Sequence, residues 1–276
     1  MYLKIFKILL LATPLLVACN NGNRKETITV TDMVGDVVSV PKNPKRVACV
    51  SRTTYDLLVA YGLGDKIDGA YSGTLNNKWV PVIYPDSANH YVYGYNDSVE
   101  TFLSRGVDLV LAPEQYIAKN LREHGVPALC VSLYGNPNFD NYVTFFSNLV
   151  TKLWDGKDIK TKAEAWNNKI TSAIDEIKTE LDERKPLEKR KVFYVRGDKP
   201  KGVCYTDTVG SFTEYAYRVL GFDYVGSTLE TTMPSKEEVV NSNPYAFVCG
   251  GIYQINNTNE LKTDERFKTM DAVKNN

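Results

Sequence analysis

Histidine is nearly missing from this chain: 276 residues carry two, His90 and His124. Neither has a partner at metal-ligand spacing, and no two cysteines form a CxxC pair. Direct capture of bare zinc or manganese is therefore weakly supported, and no resident metal is expected. GxSxG, HExxH and the P-loop are also absent, which removes common hydrolase, metallopeptidase and NTPase signatures. Gly210-Ser211 stands before a helical stretch, where Ser211 reads as a cap sooner than a nucleophile. No enzyme, no catalytic residue and no cofactor are expected. Excess charge is lacking as well. Lys+Arg number 33 and Asp+Glu 33, so there is no global basic field for nucleic acid. Past residue 18 no apolar run is long enough to cross a bilayer. The remaining composition, 43% hydrophobic and 24% charged, fits a packed globular chain of one large or two modest domains.

What is plentiful is tyrosine, 18 against 10 Phe and 3 Trp. A ring with a polar tip suits a wet binding surface, although most tyrosines serve in strands and half-buried loops. The N-terminus reads as a sorting signal. Lys4 and Lys7 precede the apolar run Ile8 to Val17, too short for a membrane span. It ends in Leu16-Val17-Ala18-Cys19, which resembles a bacterial lipobox with Cys19 as the lipidated thiol. Residues 1–18 are read as signal peptide and 19–27 as tether. The chain is then an exported lipoprotein on the outer face of the cytoplasmic membrane, or the periplasmic side of a bacterial membrane. Cys49, Cys130 and Cys249 lie in or at the end of apolar runs and read as buried free thiols. A Cys204–Cys249 bridge stays open outside the cytoplasm.

Ile28–Asp32 and Val37–Val40 alternate around Gly35-Asp36, a hairpin signature. Strand and helix then alternate, with helix 98–105, strand 108–112, helix 115–124 and strand 127–132. Between 138 and 184 the strand signal stops. Ala163, Trp166, Ile170, Ala173, Ile174, Ile177 and Leu181 recur at helical spacing, a long amphipathic helix. Alternation restarts with strands at 192–195 and 203–206 and a helix at 212–220. One phrase occurs twice: Ser98-Val99-Glu100 to Asp108, and Ser235-Lys236-Glu237 to Tyr245, without a gap. Each copy predicts a capped short helix, a tight turn and an apolar strand. Two similar lobes follow from that. The expected fold is α/β, two Rossmann-like lobes with mainly parallel sheets, joined by a long backbone helix. The lobes are placed at 28–155 and 187–276, the connecting helix at 156–186.

These residues resemble the substrate-binding lipoproteins of iron-siderophore, haem and cobalamin ABC importers. The resemblance runs from Thr31-Asp32…Gly35-Asp36…Pro44-Lys45-Arg46-Val47, through Asp56-Leu57-Leu58…Tyr61-Gly62-Leu63-Gly64, to Glu100…Val107-Asp108-Leu109-Val110-Leu111. It continues with Glu237…Asn243-Pro244 and Phe267…Met270-Asp271-Ala272-Val273-Lys274-Asn275. Departures are Val107 where the family usually has proline, and Tyr245 in place of the second-lobe aspartate. The family also continues through a last strand and C-terminal helices, which this sequence lacks, so its second lobe is expected to be truncated or short.

The resemblance implies capture of an iron chelate, siderophore or haem, by a monomer that delivers it to an ABC permease and its ATPase. A cobalamin carrier is one alternative, and a surface lipoprotein that binds a protein partner is another. In the family one glutamate per lobe docks on permease arginines, and Glu100 and Glu237 occupy those positions. A glutamate early in a first helical turn also favours the helix dipole, and Glu238 could substitute for Glu237. The ligand would sit between the lobes, in loops after the strands. Candidate ligand contacts are Arg52, Tyr55, Tyr71, Tyr116, Arg196 and Tyr253, with Glu114 and Tyr134 in the same set of loops. Arg52 and Arg196 follow apolar strands of opposite lobes, and two guanidiniums facing one cleft would suit an anionic ligand. Trp79 and Tyr91-Val92-Tyr93-Gly94-Tyr95 form an aromatic patch that rims the cleft or simply packs.

Overall fold

The computed structural model describes residues 26–132, 142–183, 190–196, 202–250 and 254–274. The chain opens with the predicted hairpin, β1 (Thr27–Thr31) antiparallel to β2 (Val37–Pro41). Asp32 holds its turn. One carboxylate oxygen accepts from the amides of Val34 (3.1 Å) and Asp36 (3.0 Å), the other from the Cys130 amide (3.1 Å). Burial nonetheless raises the Asp32 pKa, against the pull of those amides.

The first lobe runs β3 (Val47–Cys49), α1 (Arg52–Ala60), β4 (Ile67–Tyr71), α2 (Ser72–Leu75), α3 (Val80–Ile83) and β5 (Tyr91–Tyr93). It continues through α4 (Val99–Ser104), β6 (Leu109–Ala112), α5 (Gln115–Glu123) and β7 (Ala128–Cys130). Its five strands lie in the order β5-β4-β3-β6-β7, all parallel. A parallel sheet is covered on both faces, so its strands read as unbroken apolar runs. The side chains sort by parity. Val47, Cys49, Leu109 and Leu111 join one core with Leu58 and Phe146. Ala48, Val50, Val110 and Ala112 join the other with Phe102 and Leu121.

Two helices follow, α6 (Tyr142–Leu153) and α7 (Lys157–Glu183). Phe146, Leu149, Val150 and Leu153 of α6 are buried in the first core. Helix α7 packs against α6 and reaches the second lobe's first helix. Its apolar stripe is fully buried only at Ala163: Trp166, Ile170, Ile174 and Leu181 are half-buried, Ala173 exposed and Ile177 40% exposed.

The second lobe contains β8 (Lys191–Val195), α8 (Phe212–Val219), β9 (Asp223–Tyr224), α9 (Lys236–Ser242), β10 (Ala246–Cys249), α10 (Gln254–Thr263) and α11 (Asp271–Lys274). Its sheet is β10-β8-β9, parallel, the counterpart of β6-β3-β4. The strand expected at 203–206 is not formed. Gly202 turns the chain at φ +69°, and Val203–Thr206 is irregular, with the Tyr205 carbonyl accepting from the Arg196 amide (2.8 Å).

The repeated phrase enters both sheets in one register. Val47 lies opposite Leu109, and Val192 opposite Ala246. The Asp108 amide donates to the Arg46 carbonyl, and the Tyr245 amide to that of Lys191, both at 2.8 Å. Gly106 ends the first turn at φ +64°, and Asn243 stands at the matching place at φ +45°. Asparagine is among the few side chains that tolerate this left-handed backbone. The caps differ: Ser235 accepts from the Glu238 amide in a reciprocal capping box, whereas Ser98 makes no such bond.

The copies part at their last residue. Asp108 is buried and accepts from the amides of Lys45 (2.8 Å) and Arg46 (3.1 Å), while Tyr245 is exposed under the Arg190 guanidinium, 4.2 Å away. We expect Asp108→Ala to cost about 2 kcal/mol, because two amides lose a charged acceptor. Urea unfolding at neutral pH measures it, and a change under a few tenths would deny Asp108 that role. A second prediction concerns His90, whose Nδ1 lies 3.1 Å from the Tyr55 hydroxyl and whose ring stacks on Tyr84. Burial lowers its pKa, although Asp68 and Asp86 pull the other way. The unfolded chain therefore takes up this proton first, and stability falls as pH drops below about 6.5 toward the lower folded value. Urea midpoints at pH 7.5 and 5.5 should differ less in His90→Gln than in the unmutated chain.

Candidate functional site

In a parallel sheet every strand points the same way, so the loops after the strands gather on one side. Here that side holds a cavity of about 590 Å³. Ser51, Arg52 and Thr53 come from the end of β3, Tyr71 from β4, Tyr95 from just past β5, Pro113 and Glu114 from β6, and Ser132 from β7. The second lobe adds Arg196, next after β8. A larger hollow of about 730 Å³, between the hairpin and α5, is shallower and is lined from β2, α5 and the turn before β7.

Arg52 opens α1, and its guanidinium lies 5.0 Å from the centre of the Tyr71 ring. Gly73 permits the pairing: a Cβ there would stand 2.6 Å from the Tyr71 ring and 3.1 Å from Arg52 Nη2. The Ser51 hydroxyl is turned away from α1 and donates to the Val131 carbonyl (2.9 Å), so no side chain caps that helix. Tyr95 packs edge-on against Tyr71, and its hydroxyl donates to Glu114 Oε1 (3.0 Å). Burial first, then the Glu114 charge, pushes the Tyr95 pKa up to about 12. A neutral phenol is the resting form. Across the cleft, Arg196 Nη1 meets Asp207 Oδ1 (2.9 Å), and Asp207 Oδ2 accepts from Thr213 (2.6 Å) at the start of α8.

Of the expected ligand contacts, Arg52, Tyr71 and Arg196 come together. Tyr55 does not: the chain is already helical at Arg52, so Tyr55 falls inside α1, 2% exposed, on His90. Tyr116 is 62% exposed on α5 and is not part of the cavity wall; its hydroxyl reaches Asn96 (3.4 Å). Tyr253, Tyr134 and Cys19 lie outside the described residues. Glu114 comes from a candidate loop and Tyr95 from the aromatic patch, whereas Ser51 and Ser132 were not singled out. Their common signal is simple, since each stands within a few residues of a strand end.

Glu100 and Glu237 occupy the second position of α4 and α9 and are exposed. Each helix leads into a strand of a parallel sheet, which places its start on the cleft side. The Glu100 carboxyl is held below its usual pKa by its own amide and by Ser98. Glu237 differs, since Arg266 Nη1 lies 2.8 Å from its Oε1. Glu238 is engaged by the Ser235 amide (2.7 Å) in the capping box.

Among the described residues no group of His, Cys, Asp and Glu could hold a metal ion. Cys49, Cys130, Cys204 and Cys249 are all free, and burial pushes the Cys49 thiol up to about 12. No described helix is long and apolar enough to cross a membrane.

No family model matches the chain. It is 28% identical over 145 residues to the uncharacterized ABC transporter substrate-binding lipoprotein YvrC of Bacillus subtilis, covering 46% of this chain and 44% of that protein. The match thus spans less than half the length of that relative. Among solved structures, the molybdate periplasmic binding protein MolA of Haemophilus influenzae superposes with a TM-score of 0.67 at 17% identity, covering 90% of this chain and 81% of the other. A possible iron-binding (periplasmic solute-binding) protein of Staphylococcus epidermidis gives 0.66 at 19% identity, with 85% and 88% covered. The chain resembles ABC-importer substrate-binding lipoproteins in sequence, and it has the α/β fold of the periplasmic solute-binding proteins.

Proposed function

We infer that this chain is a lipid-anchored solute-binding protein that captures an iron chelate, a siderophore or haem, and hands it to an ABC importer without bond chemistry. One observation carries the reading. Strand ends from both lobes converge on a single cleft in which Arg52, Tyr71 and Tyr95 offer a cation and aromatic surface to one ligand. Guanidinium on a ring face suits an anionic or flat, oxygen-rich chelate. The cavity also has the size of a small-molecule site. The relatives' names add an importer context, and the ligands they name differ between iron and molybdate. In this reading Cys19 carries the anchor, the permease and its ATPase are the partners, and the protein acts as a monomer. The stiff α7, with no glycine or proline in it, limits lobe closure.

Native mass spectrometry against ferric siderophores, haem and cyanocobalamin tests capture. A single stoichiometric adduct is expected with an iron chelate or haem. An adduct with cyanocobalamin alone moves the function to cobalamin. A folded sample with no adduct favours a surface lipoprotein that binds protein. That second reading has one observation behind it, the exposed group Trp79, Val82 and Ile83 (59%, 68% and 67%).

Docking is tested separately. Charge reversal at Glu100 and Glu237 should abolish uptake while leaving ligand affinity unchanged. Loss of affinity would put those residues in the cleft instead. Because Arg266 competes for Glu237, Arg266→Ala should strengthen permease binding by a factor of about 2 to 5, the scale of one exposed ion pair. Weaker binding would make Arg266 itself a docking contact.

A further inference from the structure

The charged groups of the cleft differ in what they leave free. Arg196 is met by Asp207 at 2.9 Å, so its charge is largely answered within its own lobe. Arg52 has no carboxylate partner among the described residues and rests on the Tyr71 ring. Glu114 stands in the same wall with no basic partner among the described residues. Its contact is the Tyr95 hydroxyl on Oε1. A carboxylate has about four acceptor positions, and one hydroxyl fills one of them. Glu114 also sits at the N-cap of α5 without bonding the helix amides. Two guanidiniums facing an anion therefore describe the cleft incompletely. Among the described residues it presents one cation without a carboxylate partner, Arg52, and one carboxylate without a basic partner, Glu114.

Resting on the chelate-capture reading above, we propose that Glu114 is a specificity-determining residue that accepts a hydrogen bond from an amine or ammonium on the ligand and disfavours multiply anionic chelates. The ligand class it selects is a chelate of low net charge. Such a chelate turns oxygen atoms toward Arg52 and a donor group toward Glu114. A polyanion would gain at Arg52 and lose at Glu114, where like charges meet in a partly closed cleft. Merely structural service at the start of α5 would leave ligand preference untouched.

The test uses the full-length chain in detergent, with quenching of protein fluorescence by iron chelates. Three probes are compared. Ferrioxamine B is a ferric trihydroxamate with a free ammonium, its N-acetyl derivative lacks that charge, and ferric enterobactin is a trianionic tris-catecholate. Ferrioxamine B should bind about tenfold more tightly than its acetylated form, the scale of one charge-assisted hydrogen bond. Glu114→Gln should abolish that gap and improve enterobactin binding. Tyr95→Phe, which keeps the charge, should preserve the gap. Equal binding of the first two probes by the unmutated chain overturns the proposal, as does a gap that survives Glu114→Gln. Enterobactin binding as tightly as ferrioxamine B overturns it too. Should haem or cyanocobalamin bind and no siderophore, the selectivity fails while capture stands. Should none bind to protein that circular dichroism shows folded, both fail.

Discussion

Everything here depends on the common direction of the strands. Parallel neighbours cannot be joined by a tight turn, so each connection crosses back over a face as a helix or loop. Two results follow together. Both faces of the first sheet are covered, which gives the two cores sorted by residue parity. All strand ends emerge on one side, which gives the cleft. The cleft is thus a by-product of how the core is closed. Its residues need no shared motif, only the place just after a strand.

That explains what was legible in the sequence. The lobes, the connecting helix and most strands could be read, because unbroken apolar runs and helical spacing are strong signals. The repeat was legible too, including its tight turn, which the folded chain makes left-handed at both Gly106 and Asn243. Positions such as Arg52 and Arg196 could be found by counting from strand ends. Tyr55 could not be placed that way, since a helix that starts one residue after Ser51 carries it inward. Nor could the partners of the charges. Asp207 lies 11 residues from Arg196, and Tyr95 lies 19 from Glu114, so only the folded chain joins them. The strand expected at 203–206 is absent: Val203 and Cys204 pack from a loop into the second lobe's own core, with Phe193, Val195 and Phe267.

The two glutamates show how a repeat diverges. Backbone, register and helix position are kept, yet the surroundings are not. Glu100 is steadied by its own helix start, while Glu237 faces a guanidinium from a later segment. Equal positions in two lobes therefore need not be equal in readiness to meet a partner.

The hairpin has a mechanical meaning. Asp32 ties its turn to β7, and Lys42 meets Asp155 at 2.8 Å just past α6. Asn43 adds bonds to the Asp155 amide and the Leu153 carbonyl, and Trp154 reaches the Pro44 carbonyl. Tension applied from the N-terminal side would run along β1 and load its paired strand in shear. From there it would pass into α6 and, through the bond between Asp32 and the Cys130 amide, into the end of β7, two residues before Ser132 in the cleft wall. The residue after Cys130, Val131, holds the Ser51 hydroxyl beside Arg52, so a pull on the hairpin would be felt at the mouth of the cleft.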